Sequence, residues 1–250
     1  MSECTMTIRI GVIGGTGLYE LCGIHRSTTV ETLFGNVVVS TGDIEGKEVV
    51  FLPRHGQSHD IPPHAINYEA NMTALKQLGV HAVIGVQAVG ALNPALRMGD
   101  YVIPDQFIDF TKSRHTVFTS DVRHVDMRQP YCEALRTVLK NALKGRRCYE
   151  KGTYACVEGP RFETEAEIRM FRMLGGDVIG MTIAHEATLA RELSMCYAAL
   201  SLVTNKTSAA GTFHEDVVRV VASKKAEIEH IMYTVIQHIT QDLPCNCQKG

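Results

Sequence analysis

The chain has 250 residues, of which 45% are hydrophobic and 21% charged, with a formal net charge of -2. That length accommodates one or two domains, and the apolar share is enough for a large core, which excludes a disordered chain. Balanced charge without a long basic run argues against nucleic acid as a partner, and no apolar run reaches the roughly 18 residues that span a bilayer, so a cytoplasmic chain with no membrane partner is expected.

Residues 8–13 predict a strand that ends in Gly14-Gly15-Thr16-Gly17. Residues 37–40 and 48–52 are β-rich and flank a turn at 42–46, the pattern of an antiparallel hairpin. Residues 67–78 predict a helix stopped by Gly79, and 82–86 and 101–103 predict buried strands. In 130–143, Leu135, Val138, Leu139 and Ala142 fall at i, i+3, i+4 and i+7 of an amphipathic helix. A strand at 153–157 precedes a helix at 164–174, where Thr164 and Glu167 make a capping box. Strands at 178–180 and 196–203 bracket a helix at 185–193. The last helix, 213–241, has Thr212 and Glu215 at capping-box spacing and an apolar stripe through Val217, Val221, Ile228, Met232, Val235 and Ile239. There is no repeat and no linker. Alternating strands and helices predict a single α/β domain over 1–250, with a mixed, mostly parallel central sheet flanked by helices; 242–250 is expected to be a loose C-terminal tail.

The eight cysteines form no CxxC pair. Cys4, Cys22, Cys132, Cys148, Cys156 and Cys196 are expected to be reduced, buried small hydrophobes. Cys245 and Cys247 form a C-x-C, either two exposed thiols on a frayed end or a redox-sensitive pair whose i, i+2 disulfide would be strained.

Candidate chemistry sits where predicted strands end. The glycine turn lets backbone approach an anion closely and Thr16 adds a hydroxyl, although taken alone it is equally a plain strand-to-loop corner. It lacks the third glycine of a G-x-G-x-x-G fingerprint, so a nicotinamide cofactor is discounted. Arg54 and His55 follow a strand end, where a planar guanidinium clamps an oxyanion as readily as it decorates a surface. His55, His59 and His64 match no strong zinc spacing, and no metal is expected. Gly159-Pro160-Arg161-Phe162-Glu163, Gly180-Met181-Thr182 and Thr204-Asn205-Lys206 put polar side chains at three successive strand ends, which favours one pocket over three unrelated loops. No nucleophile constellation is present.

Taken in order, Gly14-Gly15-Thr16-Gly17, Pro53-Arg54-His55-Gly56, Asn67-Tyr68-x-x-Asn71, Asp105-Gln106-Phe107-Ile108-Asp109, Glu158-Gly159-Pro160-Arg161-Phe162, Gly180-Met181-Thr182 and Thr204-Asn205 resemble the trimeric purine nucleoside phosphorylase and methylthioadenosine phosphorylase family. The resemblance runs from about residue 8 to about residue 239. It implies a homotrimer with active sites near subunit interfaces, and a reaction with inorganic phosphate as co-substrate and no cofactor. It assigns phosphate binding to Thr16, Arg54, His55 and Thr182, helped by backbone around Gln87 and Ala88. Met181 would lie against ribose and Phe162 against the purine face, while His124 would reach a neighbour's 5′ pocket. Arg54, His55 and Asn205 would carry the catalysis.

The sequence departs from the methylthioadenosine branch at two places. Glu163 replaces a serine after the phenylalanine, and Asn205-Lys206-Thr207 replaces an Asp-x-Asp. Both changes resemble the 6-oxopurine enzymes. A carboxylate at Glu163 accepts from N1–H of hypoxanthine or guanine, and the Asn205 amide can bond N7 and O6 together, using its donor and acceptor; Thr207 joins this substrate-reading set. His214 stands where the methylthio branch has a small apolar residue, and an imidazole suits a 5′-hydroxyl. Phosphorolysis of inosine or guanosine is therefore expected, with 5′-methylthioinosine or 5′-methylthioadenosine as alternative substrates and a non-catalytic nucleoside- or phosphate-binding protein as a distant one. His185 stands where the family often has proline, for which no physical reason is found.

Overall fold

The computed structural model describes residues 8–16, 18, 21, 23–207 and 213–247, with the side chains of 213 and 214 outside that set. The expected capping spacing of Thr212 with Glu215 and the side chain of His214 therefore lie outside the described residues, as do Gly17, Cys4 and Cys22.

In chain order the strands are β1 (Arg9–Gly14), β2 (Ile24–Thr32), β3 (Gly35–Ile44), β4 (Lys47–Pro53), β5 (Ala82–Ala91), β6 (Tyr101–Val102), β7 (Gln106–Asp109), β8 (Cys148–Tyr149), β9 (Thr153–Cys156), β10 (Val178–Gly180) and β11 (Cys196–Lys206). The helices are α1 (Tyr68–Gln77), α2 (Glu133–Ala142), α3 (Glu165–Met173), α4 (Ile183–Glu192) and α5 (Phe213–His238). Among the described residues, eleven strands join one mixed sheet in which most pairings are parallel, as expected. Its hub is β5, which pairs with β1 and then with the antiparallel end of β10, while β11 runs along it from Cys196 to Lys206.

The near-continuous apolar runs of β5 and β11 follow from burial on both faces. Cys196, Ala198, Leu200 and Leu202 of β11 enter a core shared with Leu135 and Leu139 of α2 and Ile231, Met232 and Val235 of α5. Tyr197, Ala199 and Val203 point the other way, onto Met72 and Leu75 of α1 and Ala187, Leu189 and Ala190 of α4. The hairpin of β3 and β4 forms as expected, and its tight turn puts Glu45 and Gly46 both at positive φ, 54° and 74°, the backbone that matches strand twist in a two-residue hairpin. The capping box of Thr164 and Glu167 is present at the start of α3.

Three strands give no readable sequence signal. β2 is a polar edge strand with one buried residue, and β7 and β8 are short. Among the described residues, no helix is long and apolar enough to cross a membrane.

Candidate active site

Strands β1 and β4 lie parallel with Gly14 opposite Pro53, so their ends deliver Thr16 beside Arg54 and His55. The Arg54 amide donates to the Gly14 carbonyl at 2.8 Å. Across β5, the ends of β10 and β11 supply Met181-Thr182 and Thr204-Asn205, and the segment after β9 supplies Phe162 and Glu163. Together these residues, with Gln87 and Ala88, line one cavity of about 550 Å³. It opens at the carboxyl ends of parallel strands, where open α/β sheets bind ligands, and its size suits a small organic ligand.

Arg54 is 1% exposed, and a buried cation must be paired. Its Nε donates to Glu186 Oε1, its Nη2 to Glu186 Oε2 at 3.0 Å, and its Nη1 to the Val86 carbonyl at 2.9 Å. Glu186, on the first turn of α4, also accepts from the Tyr197 hydroxyl at 2.6 Å. Burial disfavours the cation, but the charge and hydrogen bonds of Glu186 outweigh it, and the guanidinium is held above its ordinary value. With three N–H groups committed, two of the five that a guanidinium carries remain for a ligand. The glycine turn serves this arrangement directly: a Cβ on Gly15 would overlap Nη1 of Arg54. The residue's smallness admits the arginine, which the sequence alone had suggested was for an anion.

His55 is half-buried and its Nδ1 donates to the Ile61 carbonyl at 2.9 Å. Burial, and then the neighbouring Arg54 cation, push its imidazole down to about 4. At neutral pH it is therefore uncharged, with Nε2 left as an acceptor. Thr182 is the N-cap of α4, yet its hydroxyl does not cap the helix and meets the Tyr154 side chain instead, so the positive end of α4 and that hydroxyl both stand at the cavity wall. The Gln87 side chain is held by Ser201, its Nε2 donating to Oγ at 2.6 Å, and Gln87 and Ala88 both line the cavity.

On the opposite side, Asn205 is 6% exposed and its Oδ1 accepts from Thr204 Oγ1 at 3.2 Å. The same Thr204 hydroxyl also lies 3.3 Å from the Val89 carbonyl; because N7 and O6 of a keto-purine both accept, only the amide's NH₂ group can serve them, which corrects the donor-plus-acceptor role expected from sequence. Glu163 also lines the cavity, and burial raises its carboxyl above the ordinary range. Phe162 lies at the cavity with 47% of its surface exposed.

Two expected site residues stand elsewhere in this chain. Thr207 is buried, donates to the Ala91 carbonyl at 2.6 Å and accepts from Arg172 at 3.0 Å, so its hydroxyl is spent outside the cavity wall. His124 lies on the exposed stretch between β7 and α2 and does not line this chain's own cavity.

A profile described as "Phosphorylase superfamily" matches residues 9–237, nearly the whole chain. The chain belongs to the phosphorylase superfamily.

Relatives of this superfamily member agree. It is 46% identical to a "Probable 6-oxopurine nucleoside phosphorylase" of Thermococcus kodakarensis, over 96% of each chain. It is 42% identical to a "Probable S-methyl-5'-thioinosine phosphorylase" of Methanothermobacter thermautotrophicus, over 96% of this chain and 87% of that one. Its fold matches a crystal structure of a methylthioadenosine phosphorylase from an Antarctic soil metagenomic library, with a TM-score of 0.87 and 36% identity over 97% of this chain and 90% of that one.

Sequence reasoning missed Glu186, the residue that holds Arg54 in place. A signal was available: an acidic residue inside the apolar run of Ile183, Ala184, Ala187, Leu189 and Ala190 must have a buried partner. His59, Asp60, Ile61 and Val217 also line the cavity; sequence reasoning had weighed His59 only as a metal ligand and Val217 only as core, and Asp60 and Ile61 carried no recognisable pattern.

Proposed function

We propose that this enzyme is a purine nucleoside phosphorylase that splits 6-oxopurine nucleosides, inosine and guanosine, with inorganic phosphate to give the free base and ribose 1-phosphate, a purine-salvage reaction. One observation carries the reading: a buried arginine beside the N-terminus of α4 shares a single cavity with a buried amide and a carboxylate. The first group suits an oxyanion and the second suits the edge of a keto-purine.

In this reading phosphate takes the two remaining N–H groups of Arg54, the hydroxyls of Thr16 and Thr182 and the positive end of α4. Neutral His55 accepts a hydrogen bond through Nε2 from the P–O–H of a monohydrogen phosphate, whose proton ends on the released base as ribose 1-phosphate forms. As the C1′–N9 bond breaks, its electron pair moves onto the purine and a phosphate oxygen bonds C1′ of the cationic sugar. Both N7 and O6 are acceptors, and the NH₂ group of Asn205 stabilises the charge that develops there. Glu163 accepts from N1–H, which adenine lacks. Positioning and electrostatics supply the rate, and the reaction uses no cofactor.

The reading includes a cytoplasmic homotrimer, in which His124 of one copy completes the sugar site of the next. Its support is the exposure of His124 away from its own cavity; size-exclusion chromatography with light scattering tests it, and a monomer that retains full activity contradicts it.

5′-Methylthioinosine is the second reading, because Val217 of α5 gives the cavity an apolar wall. His214→Val separates the two: it raises KM for inosine more than for methylthioinosine if the imidazole serves a 5′-hydroxyl. The decisive experiment is a panel of inosine, guanosine, adenosine, methylthioadenosine and methylthioinosine with and without phosphate. Phosphate-dependent release of hypoxanthine from inosine is expected. Release that ignores phosphate, or a preference for adenosine, overturns the proposal.

A further inference from the structure

The four thiols of Cys132, Cys196, Cys245 and Cys247 come from three separate segments, and their sulfur atoms all lie within 4.8 Å of one another. Cys196 and Cys245 are the pair at 3.3 Å. Cys132, Cys196 and Cys247 are buried and Cys245 is half-buried, so the C-x-C does not present two exposed thiols. The convergence is built by the fold. The Cys132 amide donates to the Tyr197 carbonyl at 2.8 Å, which docks the start of α2 beside the start of β11. Lys47 donates to the carbonyls of Ile236, Gln237 and Ile239, closing the end of α5 where the chain turns back toward them.

We propose that Cys132, Cys196, Cys245 and Cys247 bind one zinc ion as a tetrathiolate site that clamps the C-terminal segment to the sheet. Zinc bonds sulfur at about 2.3 Å in a tetrahedron, which sets the sulfur–sulfur edges at about 3.8 Å. Four sulfurs all mutually within 4.8 Å need only a small closure to reach that figure. A disulfide that joined Cys245 to Cys247 would be strained. Four sulfurs with no oxygen or nitrogen ligand suit a soft, tetrahedral ion.

The surroundings favour thiolates. Cys132 is the N-cap of α2, where the first amides of the helix are positive. The Arg191 cation acts on Cys247 and offsets part of the two negative charges that a zinc tetrathiolate carries. Each thiol that enters as S–H releases its proton on loading.

The site is structural. It lies at the Cys196 end of β11, whereas Asn205 is near the other end, about 30 Å away at roughly 3.3 Å per residue. Zinc loading therefore raises Tm while leaving phosphorolysis unchanged at low temperature.

The test uses the full chain, purified under reducing conditions without chelator and dialysed against zinc chloride, with metal measured by mass spectrometry. About one zinc per chain is expected, falling to background in the double variant Cys245→Ser, Cys247→Ser. Because that variant could fail to fold, cobalt(II) is also loaded into the wild type, where sulfur-to-cobalt charge-transfer bands and tetrahedral d–d bands are expected. Zinc at the level of the variant and no such bands, with four thiols that react freely with a disulfide reagent, overturn the proposal. So does a protein whose cysteines isolate as disulfides and take up no zinc after reduction.

Discussion

The two halves of the cavity are built on opposite plans. Arg54 is sealed in the core, gripped by Glu186 and the Val86 carbonyl, with Tyr197 bracing the glutamate from β11. Phe162 and Glu163 sit on an irregular segment between β9 and α3, with the phenylalanine half exposed. In the proposed reading the anion grip is part of the fold, preorganised before any ligand arrives. Of the base side, Asn205 belongs to the sheet, while Phe162 and Glu163 are attached at its rim. Changes on the phosphate side should therefore cost stability and activity together, while changes on the base side should alter preference at little structural cost.

The largest effect is expected at Glu186. Glu186→Gln leaves a buried guanidinium without its counter-charge, a loss of about 3–5 kcal/mol in unfolding free energy. Urea denaturation checks it, and a loss below about 1 kcal/mol would mean that the pair holds less than claimed. Arg54→Ala, measured at saturating inosine, should lower kcat/KM for phosphate by about 10²–10³-fold. On the other side, Glu163→Gln should shrink the ratio of kcat/KM for inosine over adenosine by roughly 10–100-fold, the worth of one hydrogen bond to a charged group. Its urea midpoint should stay near wild type. A variant that unfolds early yet keeps its preference reverses the comparison.

The smallest effect is a pH dependence. The His55 imidazole is lowered to about 4 in the folded chain from 6.5. Between those values the unfolded chain binds more protons, so stability present above 6.5 is lost as pH falls toward 4. Denaturation profiles of wild type and His55→Gln should diverge in that window. Parallel curves would show that His55 is charged, or solvated, in the native state.

The scaffold was legible where burial is two-sided or periodic. The apolar runs of β5 and β11, the amphipathic α2 and the Thr164–Glu167 box all announce themselves. β2 did not, because an edge strand with one buried residue has no alternation to read. Of the site, Thr16, Arg54, His55, Phe162, Glu163, Met181, Thr182 and Asn205 converge on one cavity. Thr207 follows them closely in sequence but is claimed by Ala91 and Arg172 across the bulge in β11 between Val203 and Asn205. Glu186 stayed hidden because its partner is 132 residues away. The cysteine convergence was invisible for the same reason, since three distant segments supply it.

The most direct measurement is a crystal structure of the protein soaked with phosphate and hypoxanthine. The account predicts phosphate within hydrogen-bond reach of the Arg54 Nη atoms and the Thr182 hydroxyl, with the base between Asn205 Nδ2 and the Glu163 carboxylate in the same cavity. Phosphate bound away from Arg54, or a base that leaves Asn205 and Glu163 untouched, would contradict it.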